Sequence, residues 1–249
     1  MHFILCIIKS LTIDIPIEIN IITIKKRKDV FLMYIGRIVS VAQTEDGRLC
    51  AMYRVSSRSF PNRQAVLGKN KVTITPLAGH EADLQKNPYI SYNCLKSVLD
   101  GEVAVLSNGS HTDPIAEKII NGMPTRDAIA LTLIALDFEK DDYATPRIVA
   151  VIDKAEGSGW LGIVRSDGLE VCRMDLKPGR FFYVATYEEN YISSCHGGVF
   201  PALTAEEACA FILGGGVFSE RTHPITAVSA MATDEGFDIA IQNSPVYAK

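Results

Sequence analysis

Residues 147–186 read RIVAVIDKAEGSGWLGIVRSDGLEVCRMDLKPGRFFYVAT, and four strand-like runs follow one another there. Arg147–Ile152 is apolar and β-branched. Gly157-Ser158-Gly159 leads into Trp160–Val164, Ser166-Asp167-Gly168 into Leu169–Met174, and Pro178-Gly179 into Arg180–Thr186. Turn residues at such short, regular intervals between β-prone runs predict an antiparallel meander. Immediately before it come two helical segments. One starts at Asp113-Pro114, with Asp as N-cap and Pro at the first helical position, and ends at Asn121-Gly122. The other spans Thr125 to Phe138 and is apolar nearly all round, which predicts burial against a sheet.

Further out the pattern repeats. Tyr34–Val41 and Leu49–Ser56 read as strands joined by an Asp46-Gly47 hairpin turn. Lys71–Thr75, Tyr89–Tyr92 and Glu102–Leu106 are further β-prone runs. After the meander, Thr204–Leu213 reads as a helix capped by Thr204, with Glu206 and Glu207 in its first turn. Gly214–Gly216 stops it, and Ile225–Met231 and Phe237–Ile241 close the chain as strands. Helices and strands are segregated rather than alternating. That excludes a doubly wound parallel sheet and predicts an α+β fold of two mainly antiparallel sheets covered by helices.

The composition narrows the function. The 249 residues are 47% hydrophobic and 22% charged, with a net charge of −4. No basic footprint for nucleic acid or a membrane surface is present. No run reaches the length of a membrane span, and the basic cluster Lys25–Lys28 follows the first apolar run instead of preceding it, unlike a secretory signal. The six cysteines form no C-x-x-C pair and the five histidines no metal-binding pair, so a reduced, cytoplasmic protein without metal or cofactor is expected.

Four segments carry candidate chemistry. In RVSSRSFPNR (54–63), Arg54, Ser56 and Arg58 share one face of an extended strand, an arrangement suited to a phosphate or carboxylate. Solvated arginines at a strand end would look the same. NPYISYNC (87–94) offers the phenols of Tyr89 and Tyr92 and the amide of Asn93, although paired strand tyrosines are commonly packing residues. SNGSHTD (107–113) is a small-polar loop between a strand and a helix, where Gly109 permits close approach to a ligand. His111 alone reads as a surface or hydrogen-bonded histidine. The fourth, LDFEKDDYATPR (136–147), sets four carboxylates against the negative end of a helix. A carboxylate raised by burial and like charges there would serve as a general acid or base.

Together with MYIGR at 33–37, these runs, in this order, resemble the archaeal-type IMP cyclohydrolase family. The resemblance begins at Met33 and runs to the C-terminus. It implies the four-layer αββα sandwich of the Ntn hydrolases, without their N-terminal nucleophile, because Tyr34 follows Met33. It also implies dehydrative closure of 5-formamidoimidazole-4-carboxamide ribonucleotide to inosine monophosphate. The expected partner is that purine ribonucleotide; no nucleic acid or membrane partner is expected, and a homo-oligomer is allowed. On this reading Tyr92 and Asn93 orient the formamide, and Glu139 moves the proton, with Asp141 and Tyr143 as alternatives. Arg54, Ser56, Ser57, Arg58, Asn62, Arg63, Tyr89, Asn108, Gly109, Ser110 and Arg147 hold the substrate or its phosphate. An amidohydrolase using Cys50 or Cys94 and a non-catalytic nucleotide binder are the rival readings.

Residues 1–32 fall outside the resemblance. They hold ten isoleucines against seventeen in the rest of the chain, and without them the net charge is −6. They read as an extension upstream of the true start at Met33, or else as an added strand in which Ile13, Ile15, Ile17, Ile19 and Ile21 alternate. The domain is therefore expected to span residues 33–249.

Overall fold

The computed structural model describes residues 34–244; the Ile-rich segment lies outside the described residues. In chain order the first strands are β1 (Ile38–Gln43), β2 (Leu49–Ser56), β3 (Arg63–Leu67) and β4 (Lys71–Pro76). A short helix α1 (Asp83–Lys86) and a 3-10 turn at Pro88–Ile90 precede β5 (Tyr92–Val98) and β6 (Val103–Ser107). Helices α2 (Thr112–Ile120) and α3 (Thr125–Leu136) follow, then β7 (Arg147–Asp153), β8 (Ser158–Arg165), β9 (Gly168–Met174), β10 (Arg180–Ala185) and β11 (Gly197–Val199). Helix α4 (Ala205–Gly214), β12 (Pro224–Thr233) and β13 (Gly236–Asn243) complete the described chain.

Two antiparallel sheets result, one in the order β11-β10-β1-β2-β12-β13 and the other β3-β4-β5-β6-β7-β8-β9. Three apolar clusters define four layers. One joins the facing sheets through Val39, Tyr53, Tyr92, Ile148 and Val228. A second seals α4 onto the first sheet through Met52, Phe181, Ile212 and Phe218. The third seals α2 and α3 onto the second sheet through Val105, Ile115, Ile129 and Leu133. The order of layers is αββα.

Strand alternation explains how one sequence serves both faces. Every residue of β2 is buried. Leu49, Ala51, Tyr53 and Val55 enter the inter-sheet core, while Cys50 and Met52 enter the α4 layer. The same parity sends Arg54 toward α4 and away from Tyr53.

The β1–β2 hairpin and the Thr204 capping box are as the sequence predicts, and β7, β8 and β9 form a meander; the expected fourth strand, β10, crosses instead to the other sheet, where it pairs with β1. Several local expectations are corrected. Pro88–Ile90 forms a 3-10 turn, because the Asn87 side chain accepts from the Tyr89 N–H at 2.8 Å, and the strand begins only at Tyr92. His111, not Asp113, occupies the N-cap of α2; Asp113 lies inside the first turn, paired with Lys96 and Asn93 of β5. Helix α3 buries one face only, leaving Leu131, Ile134 and Leu136 exposed. Apolar composition had no phase to reveal that face. Strands β3 and β11 and helix α1 are too short to stand out in the sequence.

Gly36 turns the chain into β1 with φ +77°. A Cβ there would collide with Thr186 Oγ1 and lie 2.7 Å from the Tyr187 ring. Gly36→Ala is therefore expected to destabilise by about 1–3 kcal/mol, read as a lower Tm, and to displace Arg37, the next residue.

Candidate active site

Polar side chains from several elements gather at one end of the sheets; Arg37, Tyr53, Arg63 and Tyr92 have the parity of the inter-sheet core, and Arg147 that of the α2–α3 layer. Arg37, just before β1, has the parity of Val39 and Val41 and points between the sheets. Its Nη2 donates to Glu139 Oε2 at 3.0 Å, and both side chains are almost fully buried. Glu139 sits in the loop after α3. Arg147, the first residue of β7, holds that loop by donating from Nε to the Asp137 carbonyl at 2.8 Å. Its Nη1 lies 3.8 Å from Glu139 Oε1. The cation at the last carbonyls of α3 offsets the helix dipole that the acidic loop works against, and Lys140 adds an ion pair to Asp137 at 2.5 Å.

Asp141 organises the rest of the loop. Its carboxylate accepts from the Thr145 N–H at 2.9 Å and the Thr145 hydroxyl at 2.7 Å. The Glu139 N–H donates to the Thr145 carbonyl at 2.8 Å, which closes the turn. Asp141 is thus occupied in fixing the backbone on which Glu139 rides. Tyr143 is exposed and meets Tyr187 edge-on, with ring centroids 6.5 Å apart.

Arg63, at the start of β3, is buried, and its side chain donates from Nε to the Phe60 carbonyl at 3.0 Å. Among the described residues both of its Nη atoms are unpaired. So are Arg37 Nε, Arg147 Nη1 and Glu139 Oε1. Buried polar atoms without partners are rare in native proteins and call for an explanation. Tyr92 enters the same region from β5, and its hydroxyl lies 2.5 Å from that of Tyr53. Burial pushes the Tyr92 phenol up while Arg63 and Arg37 draw it down. Burial, and then Tyr92, push the Tyr53 phenol well up. Burial also raises Glu139, against the opposing pull of Arg37 and Arg147.

An open cavity of about 260 Å³ leads to this group, with Arg37 at its inner wall. Tyr34, Tyr187, Phe60 and Tyr143 give it aromatic sides, and Ser57, Arg58 and Ser59 line it from the loop after β2. The Arg58 guanidinium stacks on Tyr34 at 4.2 Å. Tyr89 lies under Arg147, 5.7 Å from its guanidinium carbon. Asn62 lies on the same loop as Arg63, half-buried.

Several residues expected in the site are placed elsewhere. Arg54 is fully buried on the α4 side. It donates to Ser56 Oγ at 2.9 Å and to the carbonyls of Phe218 at 3.2 Å, Arg221 at 2.6 Å and Thr222 at 3.2 Å. Arg54 and Ser56 do share a face, but it is the wrong face, and Arg58 lies beyond the strand end. Asn93 is separated from Tyr92 by the same alternation: it donates to Asp113 and accepts from Thr73. Asn108 spends its amide on Pro146 and Ile148 of the neighbouring backbone. Ser110 is exposed, outside the buried group. Gly109 does belong, since a Cβ added there would lie within 3.2 Å of Arg147, Glu139 and His111.

Tyr34, Arg37, Tyr53 and His111 escaped the sequence reading as site residues. The alternation of β2 could have pointed to Tyr53; nothing local marks the others. Cys50 and Cys94 are fully buried, and burial pushes both thiols far up, so neither offers a ready nucleophile. Among the described residues no three His, Cys, Asp or Glu side chains gather as a metal site, and no helix is long and apolar enough to cross a membrane.

A family model described as "IMP cyclohydrolase-like protein" matches residues 34–236. The chain belongs to that family. It is 50% identical over 203 residues to the IMP cyclohydrolase of Methanosphaera stadtmanae, covering 82% of this chain and 96% of that one. It is 44% identical to the IMP cyclohydrolase of Methanocella arvoryzae, covering 86% of this chain and 100% of that protein. The Methanocaldococcus jannaschii enzyme of the same name is also 44% identical, with 84% and 98% covered. Within this IMP cyclohydrolase-like chain, the match spans every element that contributes to the buried group.

Proposed function

We propose that this site closes the ring of 5-formamidoimidazole-4-carboxamide ribonucleotide to inosine monophosphate and water, with residues 33–249 as the cyclohydrolase domain. The observation that carries the residue assignment is the set of buried donors without a partner among the described residues, both Nη of Arg63 and Nε of Arg37, beside the buried Glu139 carboxylate. Three arginines against one carboxylate suit an anionic substrate whose reaction develops an oxyanion.

The chemistry sets the roles. The carboxamide nitrogen attacks the formyl carbon, loses a proton to Glu139, and the formyl oxygen becomes an oxyanion. Arg63 and Tyr92 donate to that oxygen. The C–O bond then breaks and the oxygen leaves as water, carrying one proton from the carboxamide nitrogen and one from the formamide nitrogen. Holding the two groups in contact supplies much of the rate, since well-oriented intramolecular reactions gain on the order of 7–11 kcal/mol. Arg58 with Ser57 at the cavity mouth takes the 5′-phosphate, and the Tyr34 and Tyr187 rings flank the base. Asp141 and Arg147 position Glu139. We further infer a cytoplasmic enzyme, in keeping with purine synthesis.

The direct test is to incubate the purified protein with the formamido ribonucleotide and follow inosine monophosphate by absorbance; no cyclisation above background overturns the proposal. Arg63→Met is expected to lower kcat by about 10²–10³-fold, the cost of losing one oxyanion donor. Tm should hold or rise, because a buried charge without an acid partner is exchanged for apolar packing. An unchanged kcat would remove Arg63 from the chemistry.

A further inference from the structure

His111 is fully buried at the N-cap of α2, and its role goes beyond capping, for its side chain caps nothing. Its Nε2 lies 2.9 Å from the Ile148 carbonyl. A carbonyl only accepts, so Nε2 carries the hydrogen and Nδ1 presents a lone pair. Burial, and then the Arg147 charge, hold the imidazole down at about 3, so the ring is neutral at working pH. Among the described residues Nδ1 has no partner, and neither has Arg147 Nη1 or Glu139 Oε1.

These three atoms close on one place. A Cβ built on Gly109 would lie 3.2 Å from His111 Nδ1, 2.8 Å from Arg147 Nη1 and 3.2 Å from Glu139 Oε1. The set comprises one donor and two acceptors, the complement of a water molecule, which accepts from one neighbour and donates to two. No other small ligand matches it as simply: a cation is repelled by Arg147, and an anion by the lone pairs of Glu139 and His111.

We propose that the face of Gly109 is the floor of a one-water site. Arg147 Nη1 donates to the water, the water donates to His111 Nδ1 and Glu139 Oε1, and His111 is thereby a positioning residue for the Glu139 carboxylate. Oε2 is already held by Arg37, so the water fixes the second oxygen and the rotation of the group. A donated hydrogen bond also favours the ionised form. The structural part stands alone; its kinetic consequence rests on the cyclohydrolase reading. Glu139 is faced by Arg37 before β1, Arg63 of β3, Arg147 of β7, Asp141 of its own loop and His111 of α2. The neutral His111 is the one whose loss leaves those charges unchanged.

Two substitutions separate positioning from folding. Gln keeps a donor in reach of the Ile148 carbonyl but has no acceptor where Nδ1 stands; Asn does the reverse. His111→Gln is expected to lower kcat by about 10- to 100-fold, the scale of a slightly misplaced catalytic group. It should also move the acid limb of the kcat profile to higher pH, with Tm little changed. His111→Asn is expected to lower Tm while keeping the limb near its wild-type position. A high-resolution crystal structure of the full chain should show an oxygen between the three atoms, and Gly109→Ala should expel it. Density without that oxygen overturns the proposal whatever the enzyme catalyses. A His111→Gln variant with wild-type kcat and an unmoved limb overturns it too. An ordered oxygen in a protein that forms no inosine monophosphate would instead sink the cyclohydrolase reading alone.

Discussion

Glu139→Gln is expected to lower kcat by about 10²–10⁴-fold, the usual contribution of a positioned acid or base, equivalent to about 3–5 kcal/mol of barrier. Gln matches Glu in size and still accepts a hydrogen bond from Arg37 Nη2, so the loop that Asp141 and Thr145 close should survive. What disappears is the carboxylate that Arg37, Arg63 and Arg147 face together. Stability should fall far less than the 3–5 kcal/mol that follows outright removal of one partner of a buried pair. The discriminating measurement is kcat beside Tm for the purified variant. A large loss of kcat at near-native Tm supports proton transfer by Glu139; wild-type kcat removes it from the mechanism. The pH dependence carries the same assignment. Glu139 must be ionised to accept a proton, and burial holds it above the ordinary carboxylate range. Activity should therefore fall as pH drops through that raised value, on an acid limb lying above that of an exposed glutamate.

Arg54→Ala is expected to cost about 3–5 kcal/mol of stability, from the cavity it leaves and the carbonyls it orphans, which for a chain of this size lowers Tm by roughly 6–20 °C. The KM of the folded enzyme should be unchanged. The guanidinium lies inside the α4 layer without a carboxylate partner. Its Nη1 is 3.5 Å from the Ile212 carbonyl in the last turn of α4, a helix with no basic residue of its own at that end. The partial negative charge of the helix C-terminus and the carbonyls of Phe218, Arg221 and Thr222 stand in for a counterion. Burial, and then Arg221, lower Arg54 to about 10, which leaves it charged at neutral pH. Truncation would orphan those carbonyls and open a cavity among Met52, Ile212 and Phe218. A variant with native Tm and a raised KM would return Arg54 to the substrate.

The two arginines of one sequence run thus do opposite things. Arg54 spends its donors on backbone, whereas Arg63 keeps both Nη atoms free in a buried site. Nothing in RVSSRSFPNR distinguishes them. The difference comes from strand parity and from α4, a helix some 150 residues later in the chain. Tyr92 and Asn93 part in the same way. Glu139, by contrast, was legible locally: acids crowded at a helix C-terminus break a rule that sequences seldom break without gain. Arg147 was legible as their counterweight.

The layered α+β class, the β7–β9 meander, the β1–β2 hairpin and the α4 capping box follow from local causes. Turn residues, β-branched runs and cap side chains act within a few positions, so the amino-acid order alone determines them. The family resemblance, carried by five short runs, determined the expected reaction. The tertiary structure decided which of the candidate residues meet. Arg37, Arg63, Glu139 and Arg147 stand more than a hundred positions apart at the extremes and become neighbours only when two sheets face each other. Burial, which sets their charge states and leaves their polar atoms unpaired, exists only once that packing is complete.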